Sequence, residues 1–545
     1  MNLFEAIFSQ DLLGRTAVFH AQRRISYAEL RDETLLAAQA LSKLGVGRGE
    51  RVALLLNDSP EWIAVFIAIC SSGAIAVPIN MALRLDEQRA ILNDCTASVA
   101  IVEAGHAKLL LSDSADKLPH LKQLVVVDRE YTEEHEEEEL EQEGQVVKTW
   151  SFEELMSEAR ARPQGSFPET DFLQPDENQP AFILYTSGST GEPKGAVHRQ
   201  SDIFYTNETY CREVLRLRDG DRLFSSSRLP FAYGLGNAFT FPLLNGQTTI
   251  LCREKPSPEV IARVFTDYKP TIFFAVPVVY RLLLDEQKSH QSGSSLDCSS
   301  LRLCISAGEA LPAAIGEEWE KTFGVPVLDG IGSTEMLHMW MSNHEGDIVY
   351  GSSGKLLQGY EARLLDPEGQ PTPAGTEGNL WVSGASAAIG YWHRPDTTAS
   401  TFVNSWVRTG DLYRCDANGY WFHMGRSDDC FKSSGQWVSP VEVEGVLLRH
   451  KGISRVAVVE DFDDDGLPCA CAFVVRGEAS ADDTALEQGL RELARAGLPR
   501  YKQPRWYVFV DELPYTATGK IQRFKLRERL RTVQRPRSKV QNKLQ

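Results

Sequence analysis

The chain has 545 residues, 42% of them hydrophobic, and a formal net charge of −18. That composition suits a globular protein of several folding units and excludes a disordered or fibrous one. The acidic balance argues against nucleic-acid binding as the main activity.

Up to about Gly330, short β-rich runs alternate with helical patterns. Strands are predicted at Arg51–Leu56, Ser98–Val102, Leu124–Asp128, Ala181–Tyr185, Thr248–Cys252, Thr271–Ala275, Leu301–Ile305 and Val325–Asp329. Helices are predicted at Pro60–Ser71, Pro258–Tyr268 and Pro277–Leu284, each with Pro in the first turn. Such alternation implies α/β architecture, with parallel sheets covered by helices. The most apolar stretch, Trp62–Val77, is broken by Ser71-Ser72-Gly73 and ends at Pro78. A membrane helix needs about 20 apolar residues, so the stretch reads as helix, turn and strand in a core. The opening MNLFEAIFSQDLL lacks the apolar centre of a signal peptide. Ten scattered cysteines form no CxxC pair and no HExxH is present, so neither a metal cage nor a disulfide framework is expected. A cytoplasmic location with no membrane partner fits these features.

Glu130–Glu143 carries nine Glu residues and reads as a solvated acidic loop or helix. From Gly351 to Gly425 Gly and Pro become dense and apolar runs short, which predicts a small antiparallel or barrel-like unit. A compact α+β pattern follows: helix Glu442–His450, strands Ser454–Val459 and Cys469–Val475, helix Ala481–Ala496. The domain boundary is placed near Arg426–Asp428, giving domains of 1–426, with a β-rich subdomain at 351–425, and 427–545.

AFILYTSGSTGEPKG is an apolar run followed by small and hydroxylated residues. Gly188, Gly191 and Gly195 permit positive φ and close backbone approach, so successive amides can form an anion nest. Thr186, Ser187, Ser189 and Thr190 add hydroxyls, and Lys194 a cation. Triphosphate is the expected ligand. The loop is not a Walker A sequence, because Lys194 precedes Gly195-Ala196 where GK[ST] is needed.

The loop resembles the signature of the adenylate-forming superfamily: acyl-CoA ligases, nonribosomal adenylation domains and luciferases. Further motifs recur in the family's order over nearly the whole chain: SAGEAL at Ser306, GIGSTEM at Gly330, RTGDLY at Arg408, GRSDD at Gly425 and ATGKIQR at Ala517. The resemblance implies the α/β fold already read, with a small β-barrel-like subdomain and a small mobile α+β C-terminal domain hinged near Asp428. It also implies that Thr334 meets the α-phosphate of ATP, Glu335 holds Mg²⁺, and Gly308 and Glu309 line the adenine site. Neutralising charge on both reactants is what attack by a carboxylate on an anionic phosphorus needs. Where the family usually stacks an aromatic residue on adenine, this sequence has Ile331. Asp411 would accept from both ribose hydroxyls, Arg426 would reach ribose or phosphate, and Lys520 would bridge carboxylate and phosphate in the adenylation step. In acyl-CoA ligases FKSSGQWVSPVEVE faces the site for the second half-reaction, with Lys432 assisting thioester formation and Gly435 leaving room for the pantetheine arm of coenzyme A.

Amino-acid-activating domains usually place Asp after the Phe that corresponds to Phe231; here Ala232 stands there, and a substrate ammonium would be buried unpaired. This segment, with GIGSTEMLHMW and the Phe431–Glu444 stretch, resembles benzoate-CoA ligases and their relatives. That resemblance makes Ala232, Tyr233, Gly330, Ile331, His338 and Met339 the pocket candidates, for benzoate, an aminobenzoate such as anthranilate, or a hydroxybenzoate. The expectation is an AMP-forming aryl-CoA synthetase, with a homodimer left open. A free-standing adenylation enzyme that loads a carrier protein is the alternative, although no carrier domain is expected on this chain. A silent nucleotide-binding protein is the third reading, opposed by intact Lys194, Thr334, Glu335, Asp411 and Lys520.

Overall fold

Local sequence rules account for the first helices. Ser59 accepts the Trp62 amide and Pro60 starts the first turn of the helix Pro60–Ser71, which is buried on every side. Asn2 and Ser26 close capping boxes on Leu3–Ile7 and Tyr27–Lys43. After Gly73, at φ +79°, the chain turns directly into the strand Ile75–Pro78. The computed structural model describes residues 2–111, 118–127, 139–142, 145–161, 172, 178–187, 193–289, 296–433, 436–463, 466–477, 482–515 and 521–532. Among these, no helix is long and apolar enough to cross a membrane.

The described residues form two nine-stranded sheets. One runs in the order Lys355–Leu356, Met339–Ser342, Val327–Gly332, Leu303–Ser306, Ile272–Ala275, Arg222–Ser225, Thr248–Leu251, Thr16–His20, Arg23–Ser26. Its central pairs are parallel and its edges antiparallel. The other runs Gly390–Tyr391, Pro193–His198, Phe182–Ser187, Ile75–Pro78, Arg51–Leu55, Val99–Glu103, Gln123–Val127, Gln145–Ser151, Glu139–Gln142. It too is parallel in the middle, with antiparallel hairpins at both ends. Buried side chains such as Trp62, Phe66, Phe182 and Phe239 form the largest apolar core.

The chain divides into two compact units. The first comprises Met1–Ala362, Trp381–Thr409 and Asn418–Trp421, and contains both large sheets. The second comprises Arg363–Leu380, Gly410–Ala417 and Phe422–Gln545. Its three-stranded sheet orders Ile453–Phe462, Pro468–Arg476 and Trp506–Val510, and the helices Pro440–Leu447 and Asp483–Gly497 pack over its Val456, Val458 and Val474 face.

Three differences from the sequence reading have local causes. The strand expected at Val325–Asp329 is Val327–Gly332, because antiparallel pairing with Met339–Ser342 carries it through Gly330 and Ile331. Asn207–Leu215 and Gly236–Thr240 are π-helices, which apolar periodicity does not announce. In the acidic run, Glu139–Gln142 is a strand paired with Gln145–Ser151 rather than loop or helix. The rest of that run lies outside the described residues.

Candidate active site

Phe182–Ser187 and Pro193–His198 form the antiparallel hairpin that roots the expected phosphate loop, with Thr186 opposite Lys194 and Tyr185 opposite Gly195. Thr186 and Lys194 are half-buried. The side chain of Ser187 and all of Gly188, Ser189, Thr190 and Gly191 lie outside the described residues. Below the loop, the Tyr185 hydroxyl donates to Asp94 Oδ2 at 2.6 Å, and Asp94 pairs with Arg394 at 2.9 Å. The Trp392 amide donates to the Gly195 carbonyl at 2.8 Å.

Thr334 and Glu335 sit half-buried on the short 3-10 turn Thr334–Met336, just past the Val327–Gly332 strand. In open α/β sheets ligands bind beyond the carboxyl ends of the strands. The same edge holds Gly308, at φ +91° after Leu303–Ser306, and the exposed Glu309. Glu335 Oε1 accepts the Tyr391 hydroxyl at 2.7 Å, and Lys194 Nζ lies 5.8 Å from the centre of the Tyr391 ring. Among the described residues no donor meets Oε2, and no group of three or more His, Cys, Asp or Glu side chains could hold a metal by itself. A lone carboxylate oxygen suits a hard cation, such as Mg²⁺, that keeps waters and phosphate oxygens as its remaining ligands.

Three residues later the chain enters an aromatic nest. His338 is 3% exposed, with ring centroids of Tyr210, Phe241 and Tyr233 at 4.6, 4.7 and 5.8 Å. Both its ring nitrogens are buried, and burial pushes its pKa down to about 3, so the ring is neutral. Gly236 makes the nest possible: a Cβ there would lie 2.5 Å from His338 Cδ2. Tyr233 donates to the Ile305 carbonyl at 3.2 Å, and Ala232 is buried beside it. Met339 covers Gly330, where a Cβ would stand 2.4 Å from its Cε. Ile331 is half-buried on the same strand. The structure therefore carries Gly330, Ile331, Thr334, Glu335, His338 and Met339 on one short segment of the first unit, with Tyr233 of the separate Ala232–Leu235 helix beside His338.

The second unit holds the others. Asp411 is 9% exposed, 3.1 Å from Arg426 and 3.5 Å from His423. Burial works to raise its pKa, but His423 and Arg426 outweigh it and hold the carboxyl below its usual value. Gly410, at φ +75°, lets the Arg426 guanidinium approach: a Cβ there would meet Nη2 at 2.6 Å. Lys432 is exposed on the hairpin of Phe431–Ser433 with Gln436–Val438. Gly435 and Lys520 lie outside the described residues. The 516–520 segment is flanked by a bridge between Tyr515 and Ile521, and Arg523 is bound by Glu444 at 2.8 Å.

A family model for AMP-binding enzymes matches residues 6–392, and one for the AMP-binding enzyme C-terminal domain matches 442–520. The chain belongs to the AMP-binding enzymes. Among its relatives in that family is a benzoate–CoA ligase of Thauera aromatica, 39% identical over 96% of this chain and 95% of the relative. A 4-hydroxybenzoate–CoA/benzoate–CoA ligase of Rhodopseudomonas palustris is 35% identical over 94% and 91%. The solved structure of the anthranilate CoA ligase AuaEII in complex with anthranoyl-AMP superposes with a TM-score of 0.87, at 37% identity, covering 98% of each chain. Within the AMP-binding enzymes the chain falls among the acid–thiol ligases, with their α/β fold of a large N-terminal and a small C-terminal domain.

Sequence reasoning missed His198 and Tyr391. His198 Nε2 lies 2.8 Å from the Thr334 carbonyl, 136 residues away, and Tyr391 reaches Glu335 over 56. No local pattern marks such contacts; the nearest signal is that His198 ends the run PKGAVH, which also carries Lys194 and Gly195 of the loop.

Proposed function

We propose that this chain is an ATP-dependent arylcarboxylate–CoA ligase acting on a benzoate-type acid. What supports the reading is the continuity of Gly330–Met339, which carries Thr334 and Glu335 on one turn and, three residues on, His338 among the rings of Tyr210, Phe241 and Tyr233. A substrate ring beside His338 would turn its carboxylate toward the Thr334 turn. The carboxylate oxygen attacks the α-phosphorus, the bond to the β-phosphate oxygen breaks, and pyrophosphate leaves. The thiol sulfur of coenzyme A then attacks the acyl carbonyl, forming a thioester and releasing AMP.

Lys194 and the loop hold the departing phosphates. Glu335 provides an oxygen for Mg²⁺, which would neutralise phosphate charge when bound. Asp411 takes the ribose hydroxyls, held for that task by Arg426 and His423. Lys520 serves the first step and Lys432 the second. The neutral His338 borders the ring, and the relatives' substrates keep benzoate, hydroxybenzoates and aminobenzoates as candidates.

A panel of ring-substituted benzoates in ATP–pyrophosphate exchange tests the reading, followed by thioester detection with coenzyme A. Exchange with a benzoate and a CoA thioester as product is the expected result. Exchange without thioester, but with transfer to a carrier protein, would replace the ligase reading by the carrier-loading one. No acid-dependent exchange would reject both. Lys520→Ala should abolish exchange yet still form thioester from supplied aryl-AMP; equal loss of both would reject the division between the two lysines.

A further inference from the structure

The turn that carries Thr334 and Glu335 is held from outside at three points. His198 Nε2 donates to the Thr334 carbonyl at 2.8 Å, the Ala388 amide to the Glu335 carbonyl at 2.8 Å, and the Tyr391 hydroxyl to Glu335 Oε1 at 2.7 Å. The two side-chain donors come from paired strands: Pro193–His198 runs antiparallel to Gly390–Tyr391, with Ala196 opposite Tyr391. The first of these strands is also the outgoing arm of the phosphate loop. The loop and the Thr-Glu turn therefore hang from one two-stranded edge.

His198 is itself immobilised. It is fully buried, its Nδ1 is 3.0 Å from Asp202 Oδ2, and its ring stacks on Phe182 at 5.3 Å. Asp202 is fixed in turn by the Arg199 amide and guanidinium, at 3.0 and 2.9 Å. Both ring nitrogens of His198 thus face acceptors, and rotating the ring would forfeit both bonds. On the other side, the Tyr391 hydroxyl takes one oxygen of Glu335 while its ring faces the Lys194 ammonium.

We infer that His198 and Tyr391 are positioning residues for the metal-side carboxylate. Tyr391 anchors one oxygen of Glu335 so that the other is presented to the cation, and His198 keeps the Thr334 backbone in register with the loop. The inference rests on the reading of Glu335 as the protein's oxygen on a triphosphate-bound divalent cation. Anchoring removes carboxylate rotation before the ligand arrives, and partners of this kind strongly affect metal affinity.

The test is calorimetric titration of ATP into the full chain, with Mg²⁺ and with EDTA. The unaltered chain should bind ATP more tightly with Mg²⁺. Tyr391→Phe should cut that Mg²⁺-dependent gain about tenfold or more, with ATP affinity in EDTA, KM for the acid and the melting temperature unchanged. His198→Gln, whose amide can still donate to the Thr334 carbonyl, should keep more of the gain than His198→Leu; this pair decides the matter if Tyr391→Phe does not fold. A full Mg²⁺-dependent gain in Tyr391→Phe, or equal gains in the two His198 variants, would overturn the positioning role alone. An unaltered chain that bound ATP equally well with and without Mg²⁺ would instead overturn the reading of Glu335 beneath it.

Discussion

Gly195 lies directly under Tyr185: a Cβ built on Gly195 would stand 2.9 Å from Cζ of that ring, and 2.6 Å from Ile183 Cγ2. Neither neighbour can yield easily, because Ile183 is fully buried and the Tyr185 hydroxyl is held by Asp94. Gly195→Ala should therefore pry the hairpin apart at the root of the loop. The expected cost is about 1–3 kcal/mol of stability, read by thermal or urea melting, together with a raised KM for ATP. A variant that melts like the parent and keeps its ATP kinetics would show that the loop tolerates the displacement.

Gly236 offers the matching probe of the pocket. Gly236→Ala would push on His338 and Phe241, whose atoms stand 2.5 and 2.8 Å from the new Cβ. The pocket should shrink, raising KM for the aryl acid about tenfold with KM for ATP unchanged. If both constants rose together, the strain would be spreading beyond the nest.

Two buried groups should shape stability against pH. Burial raises the Asp329 carboxyl to about 8, despite the Leu311 amide at 3.2 Å. The unfolded chain gives up that proton near pH ~4, so between ~4 and about 8 the folded state binds more protons and stability falls as pH rises. His338 acts oppositely: the unfolded ring takes a proton near ~6.5 while the folded ring refuses it until about 3, so stability falls as pH drops through that window. Urea melts across about pH 5 to 9 should show Asp329→Asn removing a slope of up to roughly 1.4 kcal/mol per pH unit on the rising-pH side. An unchanged slope in that variant would mean that Asp329 is ionised in the folded state.

Within the second unit, Arg523 ties the helix Arg523–Thr532 to Glu444 of Pro440–Leu447, at 2.8 and 2.9 Å, with both side chains largely buried. Glu444 Oε1 also accepts the Val458 amide at 2.7 Å. Arg523→Leu would leave a buried carboxylate without its cation, a change that costs about 3–5 kcal/mol in comparable sites. Hydrogen exchange should locate the loss in the three-stranded sheet; protection unchanged there would reject the anchoring role.

Much of this was legible from residue order, and the reasons are physical. Pro60–Ser71 and Pro258–Tyr268 have the same bounds in the structure as in the sequence reading, because a Ser cap and a Pro in the first turn mark their starts. Strands such as Thr248–Leu251 and Ile272–Ala275 differ from expectation by one residue, where a β-rich run fades into a turn. Contacts between distant segments were not legible. The nest around His338 needs a π-helix on each of two segments, and backbone hydrogen-bond slippage leaves no periodic trace. Nothing in the residue order around His198 announces that the sheet sets it beside Thr334.

The edge formed by Pro193–His198 and Gly390–Tyr391 also sets a schedule for synthesis. Chain growth delivers the phosphate loop first, then the Thr334–Glu335 turn, and only afterwards the strand that latches them together. At about 5–20 residues per second, the interval from His198 to Tyr391 is on the order of ten seconds or more. Throughout that interval the nascent protein has a phosphate loop but no anchored Glu335. Asp411 and Lys520, the ribose and adenylation residues of the proposed function, come later still, so the capacity to commit ATP arrives only as the second unit is made.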